Sequence, residues 1–390
     1  MRAAGWGLAP VAALFALAAP APAEDLPVAG YFQTVGIAGT RGDLLQHFNR
    51  LRLSTDVDLG PLRLDAAYEH TLSLSRSETT AGFGLGSVPS GGEWLDLQWT
   101  LREEGHAVWR HRFDRLHLSW EPNDDLVVTV GRQAISWGTT LFLSPADPFR
   151  PFHPVDPFRQ FRAGVDAVRV RYYPGALSEF DVVVSRSGSP SGPETTALAR
   201  GLATVKGWEI SGWAGSLYGD AAVAAATSGA LGAWAVRGEA VLRRVEERVA
   251  LRSVVGVDRR FRLMERDLTV AVEYQLDGLG LAGEADLVGV LGSASWQRGE
   301  LQVLGRHTGA ASASWQLHPL WTAGALLLAN LTDPSALVGP SLGFSAGENA
   351  SLAAGAFFGL GDDRRSPAHP LPSEYGLAGA TAYLSLSWFF

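Results

Sequence analysis

The charged residues with the most distinctive spacing are Asp147, Arg150, Asp156, Arg159 and Arg162, set among prolines and phenylalanines between Ser136 and Arg162. Each proline fixes its own φ and removes a backbone donor, so the five at Pro145, Pro148, Pro151, Pro154 and Pro157 stiffen the segment. The repeated Asp-Pro-Phe, at Asp147 and again at Asp156, suits a rigid element that packs its rings on a wall and turns its charges toward a passage. Three arginines against two aspartates in a narrow, low-dielectric passage favour anions weakly. The alternative is that these arginines pair with the aspartates and lock an external loop. Arg132, just upstream, either reaches the same passage or makes a structural salt bridge.

Reactive constellations are sparse. The chain has no cysteine, which excludes disulfides, cysteine-ligated metals and thiol nucleophiles. Gly343-Phe344-Ser345-Ala346-Gly347 has the letters of a nucleophile elbow but not the strand-to-helix context that motif needs. Gly278, Gly280 and Gly283 match the dinucleotide fingerprint without a βαβ frame, and read as a flexible loop. His111 and His117 read as one strand face, six residues and roughly 20 Å apart, too far to share a metal. No catalytic residue, metal or cofactor is expected. The formal charge of −8 becomes −9 if a leader containing Arg2 and no acid is removed, so nucleic acid is not an expected partner.

The elements that would carry these residues are strands. Leu51, Leu53, Thr55, Val57 and Leu59 alternate with Arg50, Arg52, Ser54, Asp56 and Asp58; after a Gly60-Pro61 turn, Leu62, Leu64, Ala66 and Tyr68 alternate with Arg63, Asp65 and Glu69. The period of two gives each strand an apolar and a polar face. The polar set, Arg50, Arg52, Asp56, Arg63, Asp65 and Glu69, is expected to face a lumen. The same grammar continues through 107–120, 125–133, 165–173, 177–187, 202–213, 221–227, 233–242, 249–257, 268–276, 301–306, 310–316, 321–331, 336–344 and 352–358. With 31–35 and a closing strand the count is about eighteen, and sixteen is the next-best even number. Short turns alternate with long segments at 77–105, 134–164 and 188–200.

The last strand, from Gly376, places Ala378, Ala380, Ala382, Leu384, Leu386, Trp388 and Phe390 on one face and Thr381, Tyr383, Ser385 and Ser387 on the other. A terminal aromatic on such a strand resembles the closing strand of bacterial outer-membrane β-barrels. In that family the end is read by the barrel-assembly machinery, so Phe390 is the expected contact with that partner. The resemblance implies an all-β, antiparallel up-and-down transmembrane barrel of about 16–18 strands in the outer membrane, surrounded by its lipid. At the other end, Met1-Arg2, the apolar stretch Val11 to Ala19 and Ala21-Pro22-Ala23 read as a signal peptide over 1–23, leaving 24–390 as one barrel domain. Thirteen tryptophans and 45 glycines suit interfacial girdles and crowded strands.

Two further resemblances bear on function. The 134–164 segment resembles, in position, the inward-folded constriction loop of general porins. Gly131-Arg132-Gln133-Ala134-Ile135-Ser136-Trp137-Gly138 resembles a Gly-Arg-Gln-x-Ile-x-Trp-Gly segment of a poorly characterised group of proteobacterial outer-membrane barrel proteins, which supports location and fold. The expected function is a porin-like channel for passive diffusion of small solutes, with anions favoured. Arg132, Asp147, Arg150, Asp156, Arg159 and Arg162 are its candidate constriction residues. The alternative is a plugged or partner-dependent barrel serving export, lipid handling or surface scaffolding. Small residues around Ala221 to Ala226, taken as outward, would permit association of copies of the chain.

Overall fold

The computed structural model describes residues 28–40, 45–76, 92–149, 151–189, 192–245, 248–283, 287–364 and 371–390. The expected leader at 1–23 and Arg150 lie outside them. In chain order the strands are β1 (Val28–Gly39), β2 (Leu45–Asp58), β3 (Leu62–Arg76), β4 (Gln98–Glu104), β5 (Ala107–Asn123), β6 (Leu126–Gln133), β7 (Val165–Gly175), β8 (Ser178–Ser187), β9 (Glu194–Val205), β10 (Trp208–Leu217), β11 (Asp220–Leu231), β12 (Trp234–Val245), β13 (Arg248–Leu263) and β14 (Arg266–Asp277). Two short helices follow, α1 (Leu287–Gly292) and α2 (Ala294–Gln297), then β15 (His307–His318), β16 (Trp321–Asn330), β17 (Ser335–Ser345), β18 (Ala350–Leu360) and β19 (Ala380–Phe389).

Every neighbour in the sheet is antiparallel, and the ring closes where β1 pairs with β19, Tyr31 opposite Phe389. Eighteen strands form the barrel. β4 pairs only with β5, along the upper part of the edge whose lower part carries β6, so it extends the rim without entering the ring. Phe390 completes the seam by exchanging backbone hydrogen bonds with Gly30 at 2.7 and 3.0 Å.

The faces are the inverse of a water-soluble sandwich. On β19 Leu384 is 61% exposed, while Thr381, Tyr383, Ser385 and Ser387 are buried on the inner side. Val223, Leu242, Val255, Val272 and Tyr274 likewise point outward with no protein over them. An apolar exterior around a polar, filled interior suits a barrel that meets hydrocarbon. Closure leaves no unpaired sheet edge, which is what lets a sheet cross lipid.

Several expected elements are redrawn. The run read as one strand over 202–213 is a hairpin, β9 into β10, turning at Lys206 and Gly207, both in the left-handed region (φ 51 and 80). β9 begins at Glu194, so 188–200 is not a long loop. Residues 301–306 form no strand: Leu301 and Leu304 are buried with Leu281 and Leu287 in a segment folded inward. One missed strand and one surplus strand cancel, so the expected eighteen is reached. Gly278 and Gly280 belong to the same packed segment, not to a flexible loop, and a Cβ on either would strike the backbone of Leu251 or Gly305 at 2.8 Å. Residues 376–378 precede β19 rather than opening it.

His111 and His117 do not share a face. The register of β3 on β5 runs Ala67 to Arg115 and then Tyr68 to Phe113, leaving Asp114 as an extra residue. This bulge turns His117 inward, 4.0 Å from Asp65, and leaves His111 outside. The small-residue run on β11 is corrected as well: Ala222 and Ala224 point inward against the Trp137 and Trp213 cluster, and Val223 is the large outward side chain between them.

Candidate functional site

The segment 134–164 meets inner faces all round the barrel. Trp137 donates its indole N–H to Asp181 on β8 at 2.8 Å, and Trp213 on β10 donates to the Ala146 carbonyl at 2.8 Å. Leu141, Phe142 and Leu143 donate backbone N–H groups to Glu273 on β14. Phe158 packs edge-on against Tyr383 of β19 at 5.0 Å, and Arg50 of β2 donates to its carbonyl at 3.0 Å. Strands this far apart in a closed ring can share a partner only through the lumen.

Two carboxylates hold the turn of this segment. Glu239 on β12 accepts from the backbone N–H of Thr139, Thr140 and Ala146 and from the Thr140 hydroxyl. Glu273 accepts the next three N–H groups, at 2.5 to 3.0 Å. Both are almost fully buried, and a buried carboxylate is tolerable where several donors replace its water. Gln302, from the segment between β14 and β15, accepts from Ser144 N–H and donates to the Phe142 and Phe152 carbonyls.

The Asp-Pro-Phe repeat has one mechanism used twice. Asp147 accepts from Phe149 N–H and Asp156 from Phe158 N–H, each at 3.1 Å, so the aspartate closes a turn over the intervening proline and the ring is delivered inward. Phe149 and Phe158 are 2% and 4% exposed. Burial holds the Asp147 carboxyl above the usual carboxylate range, and the adjacent Arg162 only partly offsets it.

The letters of the 131–138 stretch are explained in the same way. Arg132 is fully buried and all of its N–H groups have acceptors: a bidentate pair with Asp166 at 2.7 and 2.9 Å, Glu93 at 2.6 Å, and the Phe113 and Leu95 carbonyls. Ile135 and Trp137 are buried, whereas Ala134 and Ser136, which alternate with them, are exposed. Gly164 lets the chain leave beside Arg132, since a Cβ there would lie 2.5 Å from the Arg132 side chain.

Against the end of this segment stands a wall of guanidinium groups, with Arg50 on the Phe158 carbonyl, Arg115 on the Arg162 carbonyl and Arg52 over the Phe161 ring. The Asp114 bulge sends two consecutive side chains inward, and Arg115 and Arg52 both contact the Asp114 carboxylate, at 2.9 and 3.4 Å. Arg112 pairs with Glu69 at 3.1 Å, and Arg50 lies 3.8 Å from the same carboxylate. Four cations thus face Glu69 and Asp114, with Glu93 shared between Arg112 and Arg132. The Nε donors of Arg50 and Arg52 are buried without an acceptor.

Of the expected constriction residues, Arg162 pairs with Asp147 and stands over the Phe152 ring at 5.3 Å, while Arg159 lies 3.6 Å from Asp156. The described charges of the segment therefore pair within it, and the cationic excess lies on the wall. Among the expected lumen-facing residues, Arg50, Arg52 and Glu69 belong to that wall. Asp56 and Arg63 pair with each other at 2.8 Å near the β2–β3 turn, and Asp65 faces His117. Arg112, Asp114, Arg115 and Glu239 were not anticipated; Glu273 faces inward as the alternation of 268–276 implies, and its bonds to the 141–143 backbone are the part the sequence does not show. A signal for the first three exists: the apolar phase on β5 runs through Trp109, His111 and Phe113 and restarts one step out at Leu116, Leu118 and Trp120. The Ser345 pattern sits where β17 turns into β18, a strand-to-strand context.

A closed antiparallel barrel whose longest inward segment narrows the lumen is the architecture of outer-membrane channels. Solved structures agree at the level of fold. OccAB1 of Acinetobacter baumannii superposes with a TM-score of 0.56 at 10% identity, covering 93% of this chain and 95% of that one. OccD3 (OpdP) of Pseudomonas aeruginosa gives 0.53 at 10% identity over 94% and 91%. OpdK of Pseudomonas aeruginosa, crystallised with vanillate, gives 0.54 at 7% identity over 93% and 98%. No family model and no curated protein matches the sequence.

Proposed function

We propose that the chain is a bacterial outer-membrane channel that passes small solutes by passive diffusion and favours anions. The observation that carries this reading is the division of the interior. Trp137, Phe149 and Trp213 fill the side toward β8–β12, and Leu143, Phe158, Val254 and Leu328 fill the side toward β13–β19. The β2–β5 wall has instead an excess of guanidinium groups, Arg50, Arg52, Arg112 and Arg115 against Glu69 and Asp114. The 158–162 stretch docks on the lower part of that wall, through Arg50 to the Phe158 carbonyl at 3.0 Å and Arg52 over the Phe161 ring at 4.0 Å, so a water-filled path belongs along the part it leaves open, by Thr71, Arg110 and Arg112. Fixed cations in a confined passage raise the local concentration of anions and lower that of cations. OpdK, crystallised with vanillate, makes a small carboxylate the natural first solute to try.

The test is the reversal potential of the purified protein in a planar bilayer under a salt gradient. An anion-selective current that turns toward cations in an Arg50→Gln, Arg112→Gln variant is expected. A folded barrel that conducts nothing refutes the channel. That outcome supports the plugged or partner-dependent reading, which is favoured by the described parts of three inward segments, around Leu143 and Phe158, around Leu281, Leu287 and Leu301, and around Tyr375, packed into the lumen.

A further inference from the structure

On the outer face, at the bulge, two histidines and a tyrosine converge. His70 of β3 and His111 of β5 are direct cross-strand partners with ring centroids 6.3 Å apart. The Tyr68 hydroxyl lies 2.9 Å from His111 Nδ1 and 3.2 Å from His70 Nδ1. The Trp109 indole N–H closes on His70 Nε2, and the Trp99 ring stands against His111 at 5.2 Å.

The tautomers follow from the donor inventory. An indole N–H only donates, so His70 Nε2 accepts and its Nδ1 carries the proton. His70 Nδ1–H donates to Tyr68, and the Tyr68 hydroxyl donates to His111 Nδ1. Only two hydrogens separate three donor atoms that point at one another. Around a tetrahedral ion with bonds near 2.0 Å, ligand atoms sit about 3.3 Å apart, close to the 2.9 and 3.2 Å seen here.

We propose that Tyr68, His70 and His111 bind a divalent transition-metal ion such as Zn²⁺, Cu²⁺ or Ni²⁺. Imidazole nitrogen with phenol oxygen suits these ions, whereas Ca²⁺ and Mg²⁺ take oxygen sets. On binding, the His70 proton moves from Nδ1 to Nε2, the Tyr68 phenol proton is released to the bulk solvent, and a separate neutral water fills the fourth position. Trp109 then faces an N–H in place of a lone pair and must turn away. The site is reachable: Trp99 and Trp109 are 43% and 40% exposed. His70 stands eight residues above Leu62, about 26 Å along the strand and about 20 Å up a strand tilted by about 40°, level with Trp99 of the β4 rim extension, which pairs with His111. The ion would staple β3 to β5 beside the rim extension that β4 makes on β5. Tyr274 and His307, bonded at 2.7 Å on β14 and β15, offer the same pair without a second histidine and serve as the internal control.

Untagged protein purified from membranes is titrated with ZnCl₂ by calorimetry and with CuCl₂ by tryptophan fluorescence. One ion per chain, binding weakened at least tenfold by His70→Gln, by His111→Gln and by Tyr68→Phe but not by His307→Gln, is expected. Absence of saturable binding, or wild-type binding in both histidine variants, overturns the site. Wild-type binding in Tyr68→Phe overturns the tyrosine's part. Zinc-edge X-ray absorption on the wild type stands independently of how the variants fold: two imidazole nitrogens are expected in the shell, and an oxygen-only shell refutes the assignment.

Discussion

Removing the Glu239 carboxylate should release the 134–164 segment as a unit. Glu239→Ala deletes the acceptor of four hydrogen bonds, from Thr139, Thr140 (twice) and Ala146. At about 1 kcal/mol net for each bond exchanged with water, the docked state loses about 4 kcal/mol. That corresponds to about a thousandfold in the opening equilibrium. The informative amides are those that do not touch Glu239. Leu141, Phe142 and Leu143 bond Glu273 instead, so if the segment opens cooperatively their hydrogen-exchange protection falls by the same factor. Channel current should become noisier in parallel, with excursions to higher conductance. Loss of protection at Thr139, Thr140 and Ala146 alone, with 141–143 unchanged and the current undisturbed, would refute the view of the segment as one latched body.

Arg132→Lys is expected to behave as a severe substitution, because a single ammonium cannot replace a guanidinium that serves Asp166, Glu93 and two carbonyls; a loss of about 3 kcal/mol or more should appear as a lower unfolding midpoint. Glu374, buried and bonded to Leu304 N–H and Asn330, has its carboxyl raised by burial to about 7. A carboxyl raised above its ordinary 4.5 adds stability below that value and loses it as pH climbs through about 7. Docking of the stretch around Glu374 should therefore be firmer at pH 5 than at pH 8, and Glu374→Gln should flatten the dependence in a protease-protection assay. Deleting Phe390 removes a backbone pairing to Gly30 and the terminal aromatic; the deleted chain should refold in detergent yet reach the outer membrane poorly in cells, and equal cellular yields would argue against Phe390 as an assembly signal.

Most of the barrel is legible because a period of two survives wherever one face meets lipid and the other the lumen, as on β2, β3, β14 and β19. It fails where a local signal is repeated or borrowed. Gly201, Gly207 and Gly212 are alike in sequence, and only Gly207 lies in a turn. Leu301, Val303 and Leu304 look like strand residues because they are buried, but an inward segment buries them. The rigidity of the 134–164 segment could be read from Pro and Phe. Its anchors could not, since Glu239, Glu273 and Gln302 act on backbone N–H and C=O groups about a hundred or more residues away. The wall was half visible: Arg50, Arg52 and Glu69 keep the strand phase, while Asp114 and Arg115 face inward only because a bulge breaks it.

The most direct test of a path along the β2–β5 wall uses the absence of native cysteine. Thr71, on the inward face of β3, and Ala224, buried on β11 beneath the Trp137 cluster, are replaced singly by cysteine. A negatively charged methanethiosulfonate is then applied to the conducting protein in a bilayer. The account predicts a stepwise drop in current and in anion preference for Thr71→Cys and no change for Ala224→Cys; block at Ala224→Cys with Thr71→Cys unaffected would place the path on the opposite wall and contradict it.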